Sequence, residues 1–344
     1  MIVVRLGIFK SAQNRKTEKS MPKLSSSKRA GLPDSAFAYV DSHGKRRLPI
    51  HDESHVRNAL SRFNQVKFED EAARERARKR LSNAARKYGI VPVGFMTGQL
   101  QSERQKTEQL RKDLDEAQSI QAGLIPESAP GLPHFTMCGV CLPSQAVGGD
   151  WFDYLTLPDG RGSIVLADVS GKGMGAALLM SSTRSILRMH AEGGEAPGAV
   201  LSEVNRVLVS DLPASKFVTM IYAILDPALR RVTFANAGHL PPIFVDADGA
   251  RAINMKSQLP LGVREVKYLD CELEMSEGSR LFLYSDGVIE ARNPASEEYG
   301  ELRLLHYAGT ASASVQGLLD EISKFTKGQP PVDDLTVVMV EGVK

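Results

Sequence analysis

The chain has 344 residues, of which 42% are hydrophobic, and a formal net charge of +2. This is the composition of an ordinary globular protein of about two domains. Its three cysteines and the lack of an apolar run of about 18 residues exclude a disulfide-rich scaffold and a transmembrane helix, and predict a reduced, cytoplasmic protein.

The charge is distributed unevenly along the chain. Residues 1–116 carry 25 basic and 14 acidic side chains, whereas residues 117–344 carry 18 and 27. Residues 1–30 are basic and rich in Ser and Lys, which predicts a disordered tail. Residues 31–97 are predicted to form a small, basic, α-rich module that resembles a short domain of unknown function. Its positive charge permits weak binding of nucleic acid or of an acidic partner.

Within this module the sequence predicts a hairpin followed by two helices. The hairpin turns at residues 42–44, Ser-His-Gly. Asp52 is the expected N-cap of the first helix, whose apolar side chains share one face: Val56, Ala59, Leu60 and Phe63. The second helix is expected from about Asp70 to Lys87, with Gly89 at its C-terminal end.

The segment HDESH at residues 51–55 contains two histidines four residues apart, as in zinc proteases. However, the first histidine is followed by Asp52 instead of Glu, His51 lies at or before the helix start, and no third ligand is evident. The pattern therefore favours a capped surface helix over a protease site.

Residues 98–126 predict a helical, coiled-coil-like linker. The segment 98–124 is strongly helix-forming, and its seam positions follow an approximate heptad: Leu100, Thr107, Leu110, Leu114, Ala117, Gln121 and Leu124. One interpretation is a parallel homodimer through residues 98–124. The other is a helix that packs on the following domain of its own chain.

Residues 127–344 are predicted to form the main domain. Short strand-like segments begin at Phe135 and several are joined by hairpin-length links, while helices are expected near 173–190, 197–211 and 312–327. Clustered strands with clustered helices indicate an α+β fold, an antiparallel β-sandwich covered by helices.

Cys138 and Cys141 form a C-x-x-C pair on the first of these strands. A spacing of three places the two thiols on opposite faces of a strand. There is no second cysteine or histidine pair to complete a metal shell. We therefore expect two small buried hydrophobic residues.

Four strands carry an aspartate at a Gly-rich or polar edge: Asp150 in GGDWFDY, Asp168 in IVLADVSGKG, Asp286 in LFLYSDG, and Asp333 beside Asp334 in VDDLTVVMV. Two carboxylates about 5 Å apart repel by roughly 3 kcal/mol at an effective dielectric of 20. A converging cluster would therefore need cations, and oxygen ligands favour Mg²⁺ or Mn²⁺. Each aspartate alone could instead be a turn residue or a helix cap, so the hypothesis depends on the set.

Three other enzyme classes share fragments of these motifs. Residues 171–176, G-x-G-x-x-A, imitate a dinucleotide loop, but Asp168 would face the pyrophosphate. GGD at 148–150 resembles nucleotide cyclases, without their acidic and aromatic continuation. Lys172 is followed by Gly instead of Ser or Thr, which excludes a P-loop.

Five motifs in this order and spacing resemble the PPM-type serine/threonine phosphatases of the SpoIIE/RsbU branch: GGDWFD, ADVSGKGMGAALLMS, NAGHLPP, LYSDGVIEARN and DDLTVVMV. The resemblance covers residues 117–341 and includes the linker AQSIQAGLIP. It implies an αββα fold and a phosphoprotein phosphatase that hydrolyses phosphoserine or phosphothreonine with a metal-activated water. The implied substrate is an anti-sigma-factor antagonist of a partner-switching pathway.

The resemblance also implies a ligand set for two divalent ions, Mn²⁺ or Mg²⁺. Asp168 would bridge the ions and act with Asp150 as a catalytic residue. Asp150 and the Val169 carbonyl would complete one shell, and Asp286 and Asp333 would hold the other ion. Asp334 occupies the position of a partner outside the ligand set.

Three further residues lie within these motifs. Asp153 is expected either as an outer, water-mediated ligand or as a packing residue beside its aromatic neighbours. His239 is expected to make structural hydrogen bonds, and Lys172 either attracts phosphate or only opens a helix. The non-enzymatic alternative is a phosphatase-like scaffold whose basic module binds nucleic acid or an acidic partner.

Overall fold

The computed structural model describes residues 31–255 and 258–344, without the side chains of 93, 94 and 96–103. The predicted tail at 1–30 and the side chain of the seam residue Leu100 therefore lie outside the described residues. The chain divides into two units, Met1–Thr107 and Glu108–Lys344. In the described part, no helix is long and apolar enough to cross a membrane.

The first unit contains the predicted hairpin and two helices. Strands β1 (Phe37–Val40) and β2 (Arg46–Pro49) are antiparallel, and helices α1 (Glu53–Arg62) and α2 (Glu71–Lys87) follow. Asp52 caps α1 as expected, since its side chain accepts a hydrogen bond from the His55 N–H. Among the described residues, half of the hydrophobic core cluster of this unit consists of alanines: Ala38, Ala59, Ala73, Ala77, Ala84 and Ala85.

Helix α3 (Val93–Ala122) extends across the division between the two units. It starts five residues before the predicted segment 98–124 and ends two residues before its end. Among its described side chains, Leu110 is 60% and Ile120 is 63% exposed. The helical prediction is thus confirmed, and an apolar part of the helix surface is uncovered within the chain.

The second unit consists of two five-stranded antiparallel sheets. The strands are β3 (Phe135–Leu142), β4 (Trp151–Thr156), β5 (Gly162–Val169), β6 (Val218–Asp226), β7 (Arg231–Ala237), β8 (Ile243–Asp246), β9 (Gly249–Ala252), β10 (Asp270–Glu274), β11 (Arg280–Tyr284) and β12 (Leu335–Gly342). Sheet A has the strand order β10-β7-β6-β5-β4, and sheet B has the order β3-β12-β11-β8-β9.

Helices cover the outer face of each sheet. They are α4 (Met174–Ala191) and α5 (Pro197–Asp211) on sheet A, and α6 (Asp286–Ile289), α7 (Gly300–Ala308) and α8 (Val315–Thr326) on sheet B. The core between the sheets is built from side chains of both, such as Phe152, Leu166 and Ile221 of sheet A and Leu281 and Val338 of sheet B. The predicted α+β sandwich with helices on both faces is confirmed.

The cysteine pair agrees only in part with its prediction. Cys141 packs against the core between the sheets, and Cys138 lies on the opposite face of β3, as the spacing of three predicted. The expectation that both thiols are buried is wrong, because Cys138 is exposed. The strand β3 is the edge strand of sheet B, so its outer face is incompletely covered.

Candidate metal centre

The four predicted aspartates lie at the ends of paired strands. Asp150 immediately precedes β4 and Asp168 is the penultimate residue of β5, its neighbour in sheet A. Asp286 follows β11 after one residue, and Asp333 precedes β12, its neighbour in sheet B. Two adjacent strands of each sheet thus deliver one carboxylate apiece to the same end of the sandwich.

Electrostatic interactions show that these carboxylates converge. Asp168 interacts with Asp150 and is repelled by Asp286 and Asp333. Burial, followed by repulsion from Asp286, raises the pKa of Asp168 to about 6. Burial and then Asp168 raise the pKa of Asp150 well above its ordinary value. Ionising the whole set therefore requires a positive charge among them.

Glu290 adds a fifth carboxylate that the sequence analysis missed. Ligand oxygens of Asp286, Glu290 and Asp333 all lie within 4.8 Å of one another. Burial and then repulsion from Asp333 and Glu290 raise the pKa of Asp286. The spacing D-x-x-x-E in SDGVIE, which places both side chains on one face of a helical turn, was the available signal.

Asp334 holds the loop before Asp150 in place. Its Oδ1 accepts hydrogen bonds from the Ser144 N–H (2.7 Å) and hydroxyl (2.9 Å), and its Oδ2 accepts from the Gly149 N–H (2.8 Å). Thr336 donates its hydroxyl to Asp150 Oδ2 at 2.7 Å. Both oxygens of Asp334 thus have protein donors, and the Thr336 hydroxyl orients Asp150.

The paired glycines at 148–149 are required by close approach. A Cβ on Gly148 would overlap the Asp334 carboxylate, and a Cβ on Gly149 would lie 2.8 Å from the Val169 carbonyl oxygen. The Val169 carbonyl, the predicted backbone ligand, therefore lies directly against the loop that carries Asp150. Any side chain at these positions would separate the two strand ends.

Lys172 brings a positive charge to this cluster. Its ammonium lies 2.9 Å from Asp333 Oδ2 and donates to the Val332 carbonyl at 2.8 Å. Among the ion pairs of residues 31–255 and 258–344, it is the one cation paired with the four aspartates. One lysine cannot neutralise so many carboxylates. An all-oxygen donor set with unbalanced charge fits hard divalent ions such as Mg²⁺ or Mn²⁺.

Asp153 does not belong to the cluster, so of its two expected roles the structure favours packing in sheet A over that of an outer ligand. Its carboxylate is 1% exposed and lies 3.0 Å from Arg184 Nε and 2.7 Å from Arg188 Nε, both on α4. Side chains alternate along β4, and Asp153 shares the face of Trp151, which packs against the helix layer. These ion pairs of Asp153 therefore connect α4 to β4 of sheet A.

His239 makes the structural hydrogen bonds expected of it. Its Nδ1 lies 2.7 Å from the Thr219 hydroxyl of β6, and its Nε2 lies 3.0 Å from the Tyr284 carbonyl of β11. Burial lowers its pKa to about 4, so the ring is neutral at pH 7. It connects the two sheets.

Comparisons with known proteins agree with this geometry. Residues 158–342, more than half of the chain, match the family Stage II sporulation protein E (SpoIIE), and residues 15–92 match a family of unknown function, DUF6582. The chain is 26% identical over 257 residues to the phosphoserine phosphatase RsbU of Bacillus subtilis, covering 73% of this chain and 76% of RsbU.

Two further comparisons concern a longer protein and a solved domain. The chain is 28% identical over 264 residues to protein IcfG of Synechocystis sp., covering 67% of this chain but only 41% of IcfG. The solved SiaA-PP2C domain of Pseudomonas aeruginosa superposes with a TM-score of 0.60 at 20% identity, covering 69% of this chain and 98% of that domain. This likeness concerns the fold.

Proposed function

Because this chain belongs to the SpoIIE family and has the fold of PPM-type phosphatases, we propose that it is a phosphoprotein phosphatase. It hydrolyses phosphoserine or phosphothreonine in a reaction that depends on two divalent ions, Mn²⁺ or Mg²⁺. The observation that carries this proposal is the convergence of Asp150, Asp168, Asp286 and Asp333, whose charges need cations at neutral pH.

The proposed ligand assignment follows from the contacts of each carboxylate. Asp168 interacts electrostatically with Asp150 of sheet A and with Asp286 and Asp333 of the sheet B strand ends, which supports its role as the bridge between two ions. Asp150 and the Val169 carbonyl would complete the protein ligands of the first ion, and Asp286 and Asp333 would hold the second ion. Bound ions of this kind lower the pKa of water and neutralise phosphoryl oxygens.

The chain's own residues orient this ligand set. The Thr336 hydroxyl donates a hydrogen bond to Asp150 Oδ2 and so fixes the orientation of that carboxylate. Asp334 Oδ2 accepts a hydrogen bond from the Gly149 N–H and so fixes the backbone beside Asp150. Lys172 lies beside Asp333 at the edge of the cluster, where its side chain is 41% exposed. When cations neutralise Asp333, that ammonium is free to attract the phosphate of a substrate.

The proposed substrate is an anti-sigma-factor antagonist of a partner-switching pathway in the cytoplasm. Support for a phosphoprotein substrate comes from the relative RsbU, which is named a phosphoserine phosphatase. The proposed organisation keeps a basic module at 31–97, a helical linker at 98–126 and a phosphatase domain at 127–344. A homodimer would form through residues 98–124, where Leu110 is exposed.

The direct test is phosphate release from phosphoserine peptides by the full chain. We expect hydrolysis with Mn²⁺, none with EDTA, and a loss of at least about 1,000-fold in Asp168→Asn, because the bridging charge serves both ions. Asp159→Asn, an exposed aspartate paired with Arg161, is the matched control and should retain full activity. Hydrolysis that EDTA leaves unchanged would exclude the proposal.

A further inference from the structure

A second cluster of potential metal ligands lies in the first unit, remote in sequence from the aspartates. His51 Nε2 lies 3.3 Å from Asp52 Oδ2, and His55 Nδ1 lies 2.9 Å from both oxygens of Asp52. One ligand atom from each residue lies within 4.8 Å of the other two. The two imidazole rings are 4.2 Å apart between centroids.

We propose that His51, Asp52 and His55 bind a transition-metal ion of the Zn²⁺ type. Zinc binds imidazole nitrogen and carboxylate oxygen at about 2.0–2.2 Å, which places adjacent ligands of a tetrahedral shell roughly 3.3 Å apart. The 3.3 Å between His51 Nε2 and Asp52 Oδ2 equals that value, and the 2.9 Å between His55 Nδ1 and Asp52 Oδ2 would lengthen by about 0.4 Å around an ion. Two imidazoles with one carboxylate select zinc-like ions over Mg²⁺, which prefers all-oxygen shells.

The structure supplies the third ligand that the sequence pattern lacked. Asp52 replaces the glutamate of a zinc protease, and it is itself directed between the two rings. Its Oδ1 accepts the capping hydrogen bond of the His55 N–H, which leaves Oδ2 available to an ion. The carboxylate charge also offsets the positive end of the α1 dipole. The site is therefore structural and not proteolytic.

An ion bound by this cluster would connect secondary-structure elements of the first unit and so stabilise its fold. His51 follows β2 after one residue, His55 lies in the first turn of α1, and the Tyr88 hydroxyl at the end of α2 donates to the His51 carbonyl at 2.7 Å. Three elements thus meet at these ligands. A unit this small, with an alanine-rich core, buries little apolar area, and a metal is a common way to stabilise such units.

Among the described residues, protein groups do not supply a hydrogen-bond partner to each nitrogen of the His51 ring. Its Nδ1 is buried and, among the described residues, has no hydrogen-bond partner. Its Nε2, the His55 Nδ1 and the Asp52 carboxylate all present lone pairs to one another unless protons or a cation lie between them. A divalent ion bound between them would use all three lone pairs, whereas without an ion the N–H of one imidazole tautomer donates to the Asp52 carboxylate.

The test is zinc content of the full chain after gel filtration in excess Mg²⁺, which occupies the oxygen ligands of the aspartate cluster. We expect the wild type and His43→Gln, an exposed histidine of the same hairpin, to retain one more zinc per chain than His51→Gln/His55→Gln. Equal zinc in all three proteins, or loss in His43→Gln, would overturn the proposal.

A second measurement separates metal loss from misfolding. The single variant His51→Gln keeps the capping pair of Asp52 and His55, so its circular dichroism should match the wild type. We expect its zinc affinity, measured by competition with a chromophoric chelator, to fall at least about 10-fold. An unchanged affinity in a folded His51→Gln would exclude His51 as a ligand and with it the site. Neither result depends on phosphatase activity.

Discussion

Gln121 and Gly148 exchange two hydrogen bonds: the Gln121 side-chain N–H donates to the Gly148 carbonyl (2.8 Å), and the Gly148 N–H donates to Gln121 Oε1 (2.9 Å). Gly148 lies two residues before Asp150. The last turn of α3 is therefore attached to the loop that carries a proposed ligand. Gln121, a predicted seam residue of a dimer, makes this contact within its own chain.

This attachment predicts that Gln121→Ala raises the Mn²⁺ concentration needed for half-maximal phosphatase activity. The loop would lose one of its anchors, and coupling of this kind typically changes an equilibrium by roughly 5- to 150-fold. The measurement is a Mn²⁺ titration of initial rates. Gln109→Ala, whose side chain donates to Asp113 on the helix surface, is the control. Identical titrations for both variants would make α3 a passive tether.

Gly148→Ala should disturb the proposed metal centre through the contact between the same loop and Asp334. The added Cβ would overlap the carboxylate of Asp334, which must then release the Gly149 N–H. We expect a loss of stability of about 1–3 kcal/mol and at least a 10-fold loss of activity at limiting Mn²⁺. Gly131→Ala, where a Cβ would meet nothing within 4 Å, should change neither.

Asp153→Asn should reduce stability while leaving the dependence on metal unchanged. The change removes the charge partner of Arg184 and Arg188, of which Arg184 is only 14% exposed. Because Arg188 is 43% exposed and can be hydrated, we expect a loss of about 2 kcal/mol in urea unfolding. A shift in the Mn²⁺ titration without loss of stability would return Asp153 to the metal site.

Without metal, the free energy of unfolding should fall as the pH rises. Asp168 keeps its proton in the folded chain up to about pH 6, whereas the unfolded chain releases it near pH 4. The stability present below pH 4 is therefore lost by pH 7, by about 3 kcal/mol from this group. In EDTA, Asp168→Asn should not show this loss. Its free energy of unfolding should exceed that of the wild type at pH 7 but not at pH 4. Equal pH dependence would contradict the burial of that carboxylate.

The exposed apolar residues of α3 predict the oligomeric state. A chain of residues 95–344 should sediment as a dimer, and Leu110→Lys with Leu114→Lys should make it monomeric, because charges at a seam oppose pairing. Gln105→Lys with Gln109→Lys adds the same charge off the seam and should remain dimeric. A monomer before any substitution would exclude the dimer.

Local patterns predicted most of the elements. The cap at Asp52, the helix start near Asp70, the hairpin glycine at 44 and the alternation of short strands all act within a few residues, so the sequence alone predicted both helices of the first unit and the layered second unit. The ordered motifs predicted the family, which the match over residues 158–342 confirms. The short helix α7 was missed because nine residues carry little periodicity.

Tertiary structure alone decided which side chains meet. Asp150 and Asp333 are far apart in sequence, and only the packing of sheet A on sheet B brings their strand ends to one place. It also decided that Asp153 faces α4, that Glu290 joins Asp286, and that Asp52 lies between two histidines. The residue types determined what chemistry was available, because ligand preference is intrinsic to a side chain. Convergence depends on how distant strands and helices pack, which no local pattern specifies.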